Sequence, residues 1–515
     1  MNTSLPLYYF ESQSSDIVAA ITDPQVVIGA TVALGAILVW YVLATDGSHI
    51  QKIRGWPVVG QWAFFTNLPD FVLEGFRKLP NESMFGFNIL KHDVVAVKGE
   101  EARRTFFDRR DLSFTEGYRL LLGGSPDVKD VVQDMTDRND QDNLSWFVRR
   151  LTPLLRMDRL AALTPQFMAD LERNMVKWGT SGKFDPFNDV YSIVFQLTIR
   201  STACREIADS IDSCKRMEKL YWLVEKGSTP TTVLIPWLPS KARTLKTEAT
   251  TEMYNWLDSI IKARQAEGRR EEDALQVLMD LGDTTADIIQ FIMGTLFAGI
   301  INTGLMSAWI FIFLDQEPRW KAKVVDELKT LLDKYAPASC GYTSAAERFS
   351  DIPSEAWESE MPVLEDCLRE TIRLIGTGAL LRRVIKGDVG LAGKTIPNGS
   401  FLVYLVGETH ANPEIYPDPA KYNPGRFAEG QDKSQYHAFL GWGVGRHPCL
   451  GRRFAQYEIK AICAMFLAQY DYEIVNSQEV RPDPSTTVPD RNNLYQARPK
   501  DEVFYVKYNK RENLL

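Results

Sequence analysis

Residues 284–313 are apolar on almost every side of a helix and carry one charged residue, Asp287. At 1.5 Å per residue they extend about 45 Å as a helix. A helix that is hydrophobic all round is buried, either in the centre of a large domain or in a membrane. Asn302, Thr303 and three glycines interrupt the stretch, which favours the first alternative over a membrane span. The stretch therefore predicts a large helical domain built around one central helix.

Five further segments have apolar residues at three- and four-residue spacing, which predicts amphipathic helices. They are 141–156, 187–205, 245–266, 316–335 and 361–375. Strand-like runs are short, and the clearest are Phe401–Val406 and Glu502–Tyr508, which are rich in aromatic and β-branched residues. No internal repeat and no long polar linker follows residue 60. The sequence therefore predicts one domain over residues 61–515, mostly α with small β-sheets (an α+β fold class).

A second apolar stretch, Val26–Ala44, has no charged residue. As a helix it is long enough to cross a hydrocarbon core of about 30 Å, so it predicts a transmembrane helix. A secretory signal peptide is the alternative, but acidic rather than basic residues precede the stretch and it exceeds the usual apolar length. A later segment, GSTPTTVLIPWLPS at 227–240, is apolar and broken by prolines. That segment fits a buried loop and an insertion into the bilayer surface equally well.

Charges flanking the predicted span indicate its orientation. Lys52 and Arg54 follow it and acidic residues precede it, so the positive-inside rule places the N-terminus in the lumen and the folded domain in the cytosol. We predict a short lumenal N-terminus over residues 1–25, in which Asn2 lies in the glycosylation sequon NTS. A linker with a proline hinge over residues 45–60 leads into the domain.

Composition excludes two classes of protein. The formal net charge is −8 and no basic run or stripe is present, which excludes nucleic acid as the main partner. The six cysteines are scattered without a CxxC motif, which fits neither a disulfide framework nor a zinc site.

One cysteine, Cys449, lies in an unusually tight segment, GWGVGRHPCLGRRFA at 441–455. Its glycines lack a Cβ and allow the backbone to approach a flat partner closely. A cysteine at the start of a helix has its thiolate form stabilised by unpaired backbone N–H groups. The segment therefore predicts a loop that holds a planar group against sulfur.

This segment resembles the cysteine loop of the cytochrome P450 family, the haem-thiolate monooxygenases, whose pattern is F-G-x-G-x-R/H-x-C-x-G. The resemblance implies the cytochrome P450 fold with an N-terminal transmembrane helix, and Cys449 as the axial ligand of haem iron. Three further motifs occur in the family's order. Glu370-Thr371-Ile372-Arg373 matches ExxR, Tyr422-Asn423-Pro424-Gly425-Arg426-Phe427 matches the PxRF segment, and Trp146-Phe147-Val148-Arg149-Arg150 matches WxxxR.

The resemblance also implies roles for the motif residues. Glu370, Arg373 and Arg426 would form a buried network that locks the cysteine pocket, although ExxR alone would also fit a solvated ion pair. The residues implied in haem binding, mainly by pairing with its two propionates, are Trp146, Arg150, Arg383, His447 and, in the cysteine loop, Trp442.

The sequence departs from the family pattern at two places. Trp442 replaces the phenylalanine of the cysteine loop, and the central helix reads LFAGIINTGLMSAW at 296–309 where relatives carry A-G-x-D/E-T. Alignment on Ala298 puts Ile301 at the acid position and Asn302 at the alcohol position, while a one-residue shift pairs Asn302 with Thr303. These features resemble the branch that contains prostacyclin synthase and the sterol 7α- and 12α-hydroxylases. A buried amide bonded to a carbonyl one turn back is the alternative for Asn302.

The resemblance implies a microsomal monooxygenase of the endoplasmic reticulum membrane that oxidises a steroid- or terpenoid-like substrate in secondary-metabolite or lipid biosynthesis. Its cofactor would be haem b and its cosubstrate O2, with NADPH acting through NADPH-cytochrome P450 reductase and cytochrome b5 as a further candidate donor. Asn302 and Thr303 would relay protons. The implied substrate pocket contains Tyr118, Ala298, Thr377, Leu380 and Tyr495. The implied reductase-docking cations are Arg446, Arg452, Arg453 and Lys460.

Two other functions fit the same sequence. Because an amide does not readily supply a proton, an isomerase or dehydratase of a lipid peroxide, which needs neither O2 nor electrons, is the first alternative. A haem-based binding or sensor protein is the second. No flavin or nicotinamide fingerprint such as GxGxxG in a strand-turn-helix context occurs, so a monooxygenase would need a separate reductase.

Overall fold

The computed structural model describes residues 49–56, 59–122, 140–235, 237–493 and 497–512. The predicted lumenal segment, the predicted span 26–44 and Tyr495 lie outside these residues. Most of the described secondary structure is helical, as predicted.

Twenty α-helices occur within these ranges. In chain order, α1 to α20 are Ala63–Thr66, Leu68–Lys78, Glu100–Asp108, Phe114–Leu122, Asp140–Leu154, Met157–Val176, Pro186–Thr202, Arg205–Ala208, Ile211–Gly227, Pro230–Leu234, Lys241–Glu267, Ala274–Asp280, Thr285–Gln316, Pro318–Tyr335, Ala345–Ser350, Ser354–Ser359, Pro362–Ile375, Val406–His410, Gly425–Ala428 and Arg452–Gln469. Short 3-10 helices cover Ala338–Cys340 and Gln431–Lys433.

The described strands are short and form three small sheets. In chain order, β1 to β10 are Met84–Ile89, His92–Val97, Leu112–Ser113, Ser181–Phe184, Ala379–Val384, Val389–Leu391, Lys394–Ile396, Phe401–Leu405, Tyr470–Val475 and Tyr505–Lys510. The largest sheet has the order β1-β2-β8-β5-β3, and its β2/β8 pair is parallel. The other two sheets have the orders β4-β10-β9 and β6-β7.

All six predicted helices are present, with ends displaced by up to four residues. Capping residues explain the largest displacement. The Ser240 side chain accepts a hydrogen bond from the Arg243 N–H, so α11 begins at Lys241, before the apolar periodicity that predicted a start at residue 245. Helix capping is a local side-chain signal that hydrophobic spacing does not contain.

The central helix α13 runs through the middle of the domain, as predicted. It packs against α7, α17 and α20. Within the described residues it is long and apolar enough to cross a membrane, with a mean hydropathy of 1.8 in its most apolar window, but 78% of that window is buried inside the protein. The helix is therefore the core of the domain, and the largest hydrophobic cluster surrounds it.

The five-stranded sheet separates two further hydrophobic cores. Val94 and Ala96 of β2 point into one of them, and Val95 and Val97 point into the other. This alternation follows from the two-residue period of a strand. The second core also contains Phe107 at the end of α3, which lies directly under the cysteine loop.

The segment 227–240 is not a fully buried loop, and its insertion into the bilayer surface stays a prediction. Residues 230–234 form α10, which packs on α4. Beyond it the Trp237 side chain is 78% exposed. One part of the segment is therefore folded against the domain, while its tip projects outward.

Candidate active site

The cysteine loop is held in shape by the backbone. The Cys449 N–H donates to the Trp442 carbonyl over 2.7 Å, which closes the loop on itself. Gly443 and Gly445 adopt φ angles of +66° and +62°, where a side chain is strained. A Cβ on Gly443 would lie 2.6 Å from the His447 carbonyl oxygen. The predicted need for glycine is therefore explained at these two positions.

Neighbouring elements anchor both ends of the loop. The Arg446 N–H donates to the Phe107 carbonyl over 3.1 Å. On the other side, the buried His410 accepts a hydrogen bond from the Leu440 N–H at Nε2, over 3.0 Å. Burial lowers the pKa of His410 to about 3, so its ring stays neutral and remains an acceptor. Sequence reasoning missed His410, because nothing in its local pattern shows which loop it reaches.

The Cys449 thiol is accessible, whereas four of the other five cysteines are buried. Burial of its surroundings nevertheless raises the pKa of the thiol, while the Gly451 N–H and the Arg452 charge act in the opposite direction. The helix-start effect predicted from the sequence is present but is outweighed by desolvation. A cation bound to the sulfur would favour its thiolate form.

Two residues of the central helix α13, Ala298 and Asn302, form a narrow exposed window in an otherwise buried stretch. Ala298 and Asn302, one turn apart, are exposed, whereas Thr303 is buried at 5% exposure. Asn302 is thus exposed within the described chain, and its role in proton delivery stays a prediction. Helix α13 packs on α20, which begins three residues after Cys449.

The predicted Glu-Arg-Arg network is present and buried. Glu370 accepts two hydrogen bonds from the Arg373 guanidinium, each over 2.8 Å, and one from Arg426 over 2.9 Å. It also accepts the Asn423 N–H over 3.0 Å. All three charged side chains are at most 1% exposed. Because Arg373 also donates to the His410 carbonyl over 2.6 Å, the network reaches the residue that anchors the cysteine loop.

The residues predicted to pair with haem propionates have partners within the chain. Trp146 Nε1 donates to Asp283 over 3.2 Å, and the Arg150 guanidinium donates to the same carboxylate over 2.6 and 2.8 Å. Arg383 donates to Glu116 over 2.7 Å. These contacts join residues far apart in the sequence, so the motif spacing could not reveal them.

His447 and Arg382 lie together beside the cysteine loop. The His447 ring stacks on Phe114 at a centroid distance of 5.4 Å. Burial, followed by the charges of Arg382 and Arg446, lowers the pKa of His447, which keeps its ring neutral near pH 7. The Arg382 guanidinium lies 5.0 Å from the centre of the same Phe114 ring. The cation nearest the loop on this strand is thus Arg382, one residue before the predicted Arg383.

Of the residues predicted to line the substrate pocket, Tyr118 is linked to the cysteine loop, through the Phe114 ring that stacks on His447. Tyr118 packs on Phe114 at a centroid distance of 4.6 Å, and burial raises the pKa of its hydroxyl. Leu380 is half-buried on β5. Thr377 is buried in the link between α17 and β5, where its carbonyl accepts the Gly407 N–H over 3.4 Å. Tyr495 cannot be placed, because it lies outside the described residues.

The prediction of a reductase-docking surface is wrong at one residue. Lys460 is 2% exposed and pairs with Glu365 over 3.0 Å, so it faces the protein core. Arg446, Arg452 and Arg453 are exposed, although Arg453 pairs with Glu358 over 3.1 Å. The helical periodicity of α20 puts position 460 on its buried side.

The donor set of this site fits haem. The site offers an accessible thiol, a loop without room for additional side chains, and a buried guanidinium beside that loop. These features would suit a flat macrocycle that carries carboxylates. The Trp442 indole Nε1 is also buried without an acceptor among the described residues. Cys449 would hold the iron, and the cations around Phe114 would face the polar edge of the macrocycle.

Comparison with known proteins agrees with this arrangement. The profile of the family described as Cytochrome P450 matches residues 51–497. Cytochrome P450 monooxygenase AacuE of Aspergillus aculeatus is 30% identical over 463 residues, which cover 88% of this chain and 91% of the relative. Sterol 14-demethylase of Arabidopsis thaliana is 27% identical over 444 residues, covering 82% of this chain and 86% of the relative.

A solved structure shows the same fold. The retinoic acid-bound cyanobacterial CYP120A1 superposes with a TM-score of 0.72 at 22% sequence identity, covering 90% of this chain and 100% of the other. Together with the family match and the similarity to AacuE, the cysteine loop and the Glu-Arg-Arg network lead to one conclusion. The chain belongs to the cytochrome P450 family and is a haem-dependent monooxygenase that uses O2.

Proposed function

We propose that this protein inserts one oxygen atom from O2 into a hydrophobic, steroid- or terpenoid-like substrate, with electrons supplied by an NADPH-dependent reductase. The observation that carries the proposal is the accessible Cys449 thiol beside a central helix that is open only at a narrow window. Two relatives, from Triticum aestivum and Sorghum bicolor, are named obtusifoliol 14-alpha demethylase, which supports a sterol-like substrate. The lipid-biosynthetic setting and the branch resemblance remain predictions.

Each side chain of the site has a distinct proposed task. The bound haem supplies the activation of O2, with sulfur donation from Cys449. The Glu370 network and His410 hold the cysteine loop in position. Asn302, exposed on α13, holds a water molecule or a substrate oxygen with its amide. Because Ile301 replaces the acid, the proton comes from water that Asn302 orients rather than from a carboxyl group of this helix.

Asn302→Ala is expected to lower the product formed per NADPH by about tenfold. This is less than the 10²–10⁴-fold contribution of a direct proton donor, since water still enters the site. The measurement compares product with released hydrogen peroxide, using a sterol or terpenoid that shifts the haem spectrum. Thr303→Val is the matched control, because Thr303 is the adjacent polar residue of the same helix and is buried at 5% exposure, whereas Asn302 is exposed. A larger effect for Thr303→Val than for Asn302→Ala would contradict the proposed role.

The absence of an acid at position 301 also favours a second candidate, an isomerase or dehydratase of a lipid peroxide. The two functions differ in their requirements. A monooxygenase forms product only with O2, NADPH and reductase. An isomerase consumes a lipid hydroperoxide anaerobically and without reductase. Turnover under only the second set of conditions would establish the alternative.

We also propose that residues 26–44 anchor the protein in the endoplasmic reticulum membrane, with residues 1–25 in the lumen, residues 45–60 as the linker and the catalytic domain, residues 61–515, in the cytosol. The apolar sequence of the segment supports this. Two exposed tryptophans are consistent with a nearby interface: Trp56 is 72% and Trp237 is 78% exposed.

Deletion of residues 1–45 is expected to release the protein from membranes. The full chain should stay with the membrane pellet after an alkaline carbonate wash, because a transmembrane helix does not dissociate. The shortened chain should appear in the supernatant. Retention of the shortened chain after the wash would show that the anchor lies elsewhere.

A further inference from the structure

The peptide unit between Ile301 and Asn302 is held by a side chain from outside the central helix. Tyr191, on α7, donates from its hydroxyl to the Ile301 carbonyl oxygen over 3.1 Å. This carbonyl lies in the same rigid peptide plane as the Asn302 nitrogen. Its oxygen has two lone pairs, so it can accept the Tyr191 hydroxyl in addition to an N–H of the helix. Tyr191 therefore contacts the backbone immediately before the exposed amide.

Two neighbouring helices fix the Tyr191 ring. The ring lies so close to Gly304 of α13 that a Cβ there would be 2.8 Å from its Cδ1 atom, an approach that only glycine permits. The ring also contacts Trp222 of α9 at a centroid distance of 5.7 Å. Glu218 of α9 accepts the Trp222 Nε1–H over 3.4 Å and the hydroxyl of Ser192, the next residue of α7, over 2.8 Å. The ring is therefore held in place at the central helix.

The hydrogen bond from Tyr191 is buried and lasting. Tyr191 is 2% exposed, and burial raises the pKa of its hydroxyl, so the group stays protonated and remains a donor near neutral pH. Among the described side chains outside α13, only Tyr191 donates to the backbone of residues 298–306. Water does not compete with this bond, because both partners are buried.

The Asn302 side chain depends on its backbone for its direction. Asn302 is exposed, whereas its neighbours Ile301 and Thr303 are buried. An exposed side chain is not fixed by packing, so the orientation of the peptide unit that carries it becomes the main constraint. A displacement of about 1 Å in a positioning group can lower a rate by about 10²-fold. A bond that holds this peptide unit therefore matters to a water that the amide orients.

We propose that Tyr191 is a positioning residue for the oxidation: its hydrogen bond to the Ile301 carbonyl holds the peptide unit before Asn302, and the amide of Asn302 then orients water. The contact between Tyr191 and Trp222 also joins this peptide unit to α9, so a shift of α9 reaches Asn302 through one ring. Tyr191 itself touches neither the substrate nor the cofactor. The inference rests on the role of Asn302 in the proposed function.

The test compares two tyrosines that bond to the same helix. Tyr191→Phe keeps the ring and removes the hydroxyl. The matched control is Tyr472→Phe, because the buried Tyr472 hydroxyl donates to the Phe311 carbonyl of α13 over 2.9 Å. Phe311 lies about two and a half turns beyond Asn302. Each full-length holoprotein is assayed for product formed per NADPH, with the sterol or terpenoid that shifts the haem spectrum, and for backbone amide hydrogen exchange by mass spectrometry.

Tyr191→Phe is expected to lower product formed per NADPH by about fivefold, because one buried hydrogen bond is lost while the amide of Asn302 remains. Amide exchange over residues 301–306 should become faster by a similar factor, about fivefold. Substrate affinity, from titration of the spectral shift, should stay within about twofold of wild type. Tyr472→Phe should leave product per NADPH unchanged and should speed exchange only near residue 311.

The double variant Tyr191→Phe/Asn302→Ala tests whether the two residues act together. If Tyr191 acts through Asn302, its hydroxyl has nothing left to position once the amide is gone. Product per NADPH in the double variant should then stay within about twofold of that in Asn302→Ala. Losses that multiply would mean that Tyr191 acts independently of Asn302, which would reject the proposal.

Two further outcomes would overturn the proposal. One is wild-type product per NADPH or wild-type exchange over residues 301–306 in Tyr191→Phe while Asn302→Ala is impaired. The other is an equal loss of product in Tyr472→Phe, which would indicate a general loosening of α13. If Tyr191→Phe does not fold, Gly304→Ala decides, since its Cβ would displace the ring: wild-type product per NADPH in that variant would also reject the proposal.

Failure of the proposed function gives a different result. Wild-type product per NADPH in Asn302→Ala would contradict the role proposed for that amide, whatever Tyr191→Phe does. The exchange rates do not depend on turnover, so they would still show whether Tyr191 holds the peptide unit between Ile301 and Asn302.

Discussion

Cys449→Ser is expected to abolish monooxygenase activity and the red-shifted Soret band that thiolate-ligated haem shows in its reduced carbon monoxide complex. A serine hydroxyl has nearly the same shape but is a much poorer ligand and electron donor for the iron than a thiolate. The loop itself should remain folded, because it is closed by the Cys449 N–H and the Trp442 carbonyl rather than by the thiol. Haem content should therefore fall less than activity.

The control for this substitution is Cys340→Ser. Cys340 is the other exposed cysteine among the described residues, and it lies in a 3-10 turn, Ala338–Cys340, away from the cysteine loop. Its replacement should leave the spectrum and the turnover unchanged. A normal thiolate spectrum in Cys449→Ser would assign the iron ligand to another residue.

Glu370→Gln is expected to destabilise the fold strongly, by about 3–5 kcal/mol in the free energy of unfolding. Glu370 is fully buried and its carboxylate offsets the charges of both Arg373 and Arg426. Glutamine keeps the size of the side chain but leaves two buried guanidinium groups without a counter-charge. Since Arg373 also donates to His410, the change should loosen the cysteine loop and weaken haem retention.

Urea unfolding of the holoprotein, followed by far-UV circular dichroism, measures this effect. The matched control is Glu74→Gln, which removes the same charge from an exposed pair with Lys78 at 2.7 Å. Exposed ion pairs contribute little, so the control should unfold at nearly the wild-type urea concentration. Equal midpoints for the two variants would mean that the Glu370 network does not stabilise the fold.

Much of the architecture could be predicted because it depends on local patterns. The long apolar run at 284–313 required a buried central helix, and α13 fulfils that requirement. The glycines around Cys449 required a close backbone turn, and the φ angles of Gly443 and Gly445 show it. ExxR spacing places Glu370 and Arg373 on one helix face, where they bond directly.

Contacts between distant segments could not be predicted in the same way. Asp283 lies 133 residues from Arg150, and Glu116 lies 267 residues from Arg383. Motif spacing predicted Arg383 as a residue that pairs with a haem propionate. In the structure Arg383 pairs with Glu116, and its neighbour Arg382 lies against the aromatic rings by the loop. Lys460 was assigned to the surface for a similar reason, because the sequence does not show which side of α20 is covered by other helices.

The sequence by itself determined the family, the helical class, the cysteine and the charged network, since each follows from residue type and short spacing. Only the tertiary structure decided which side chains reach the site. It exposes Asn302 and buries Thr303, and it leaves Arg382 without a counter-ion in the described chain while Arg383 is paired. The physical reason is that burial and ion pairing depend on which surfaces the folded elements bring together.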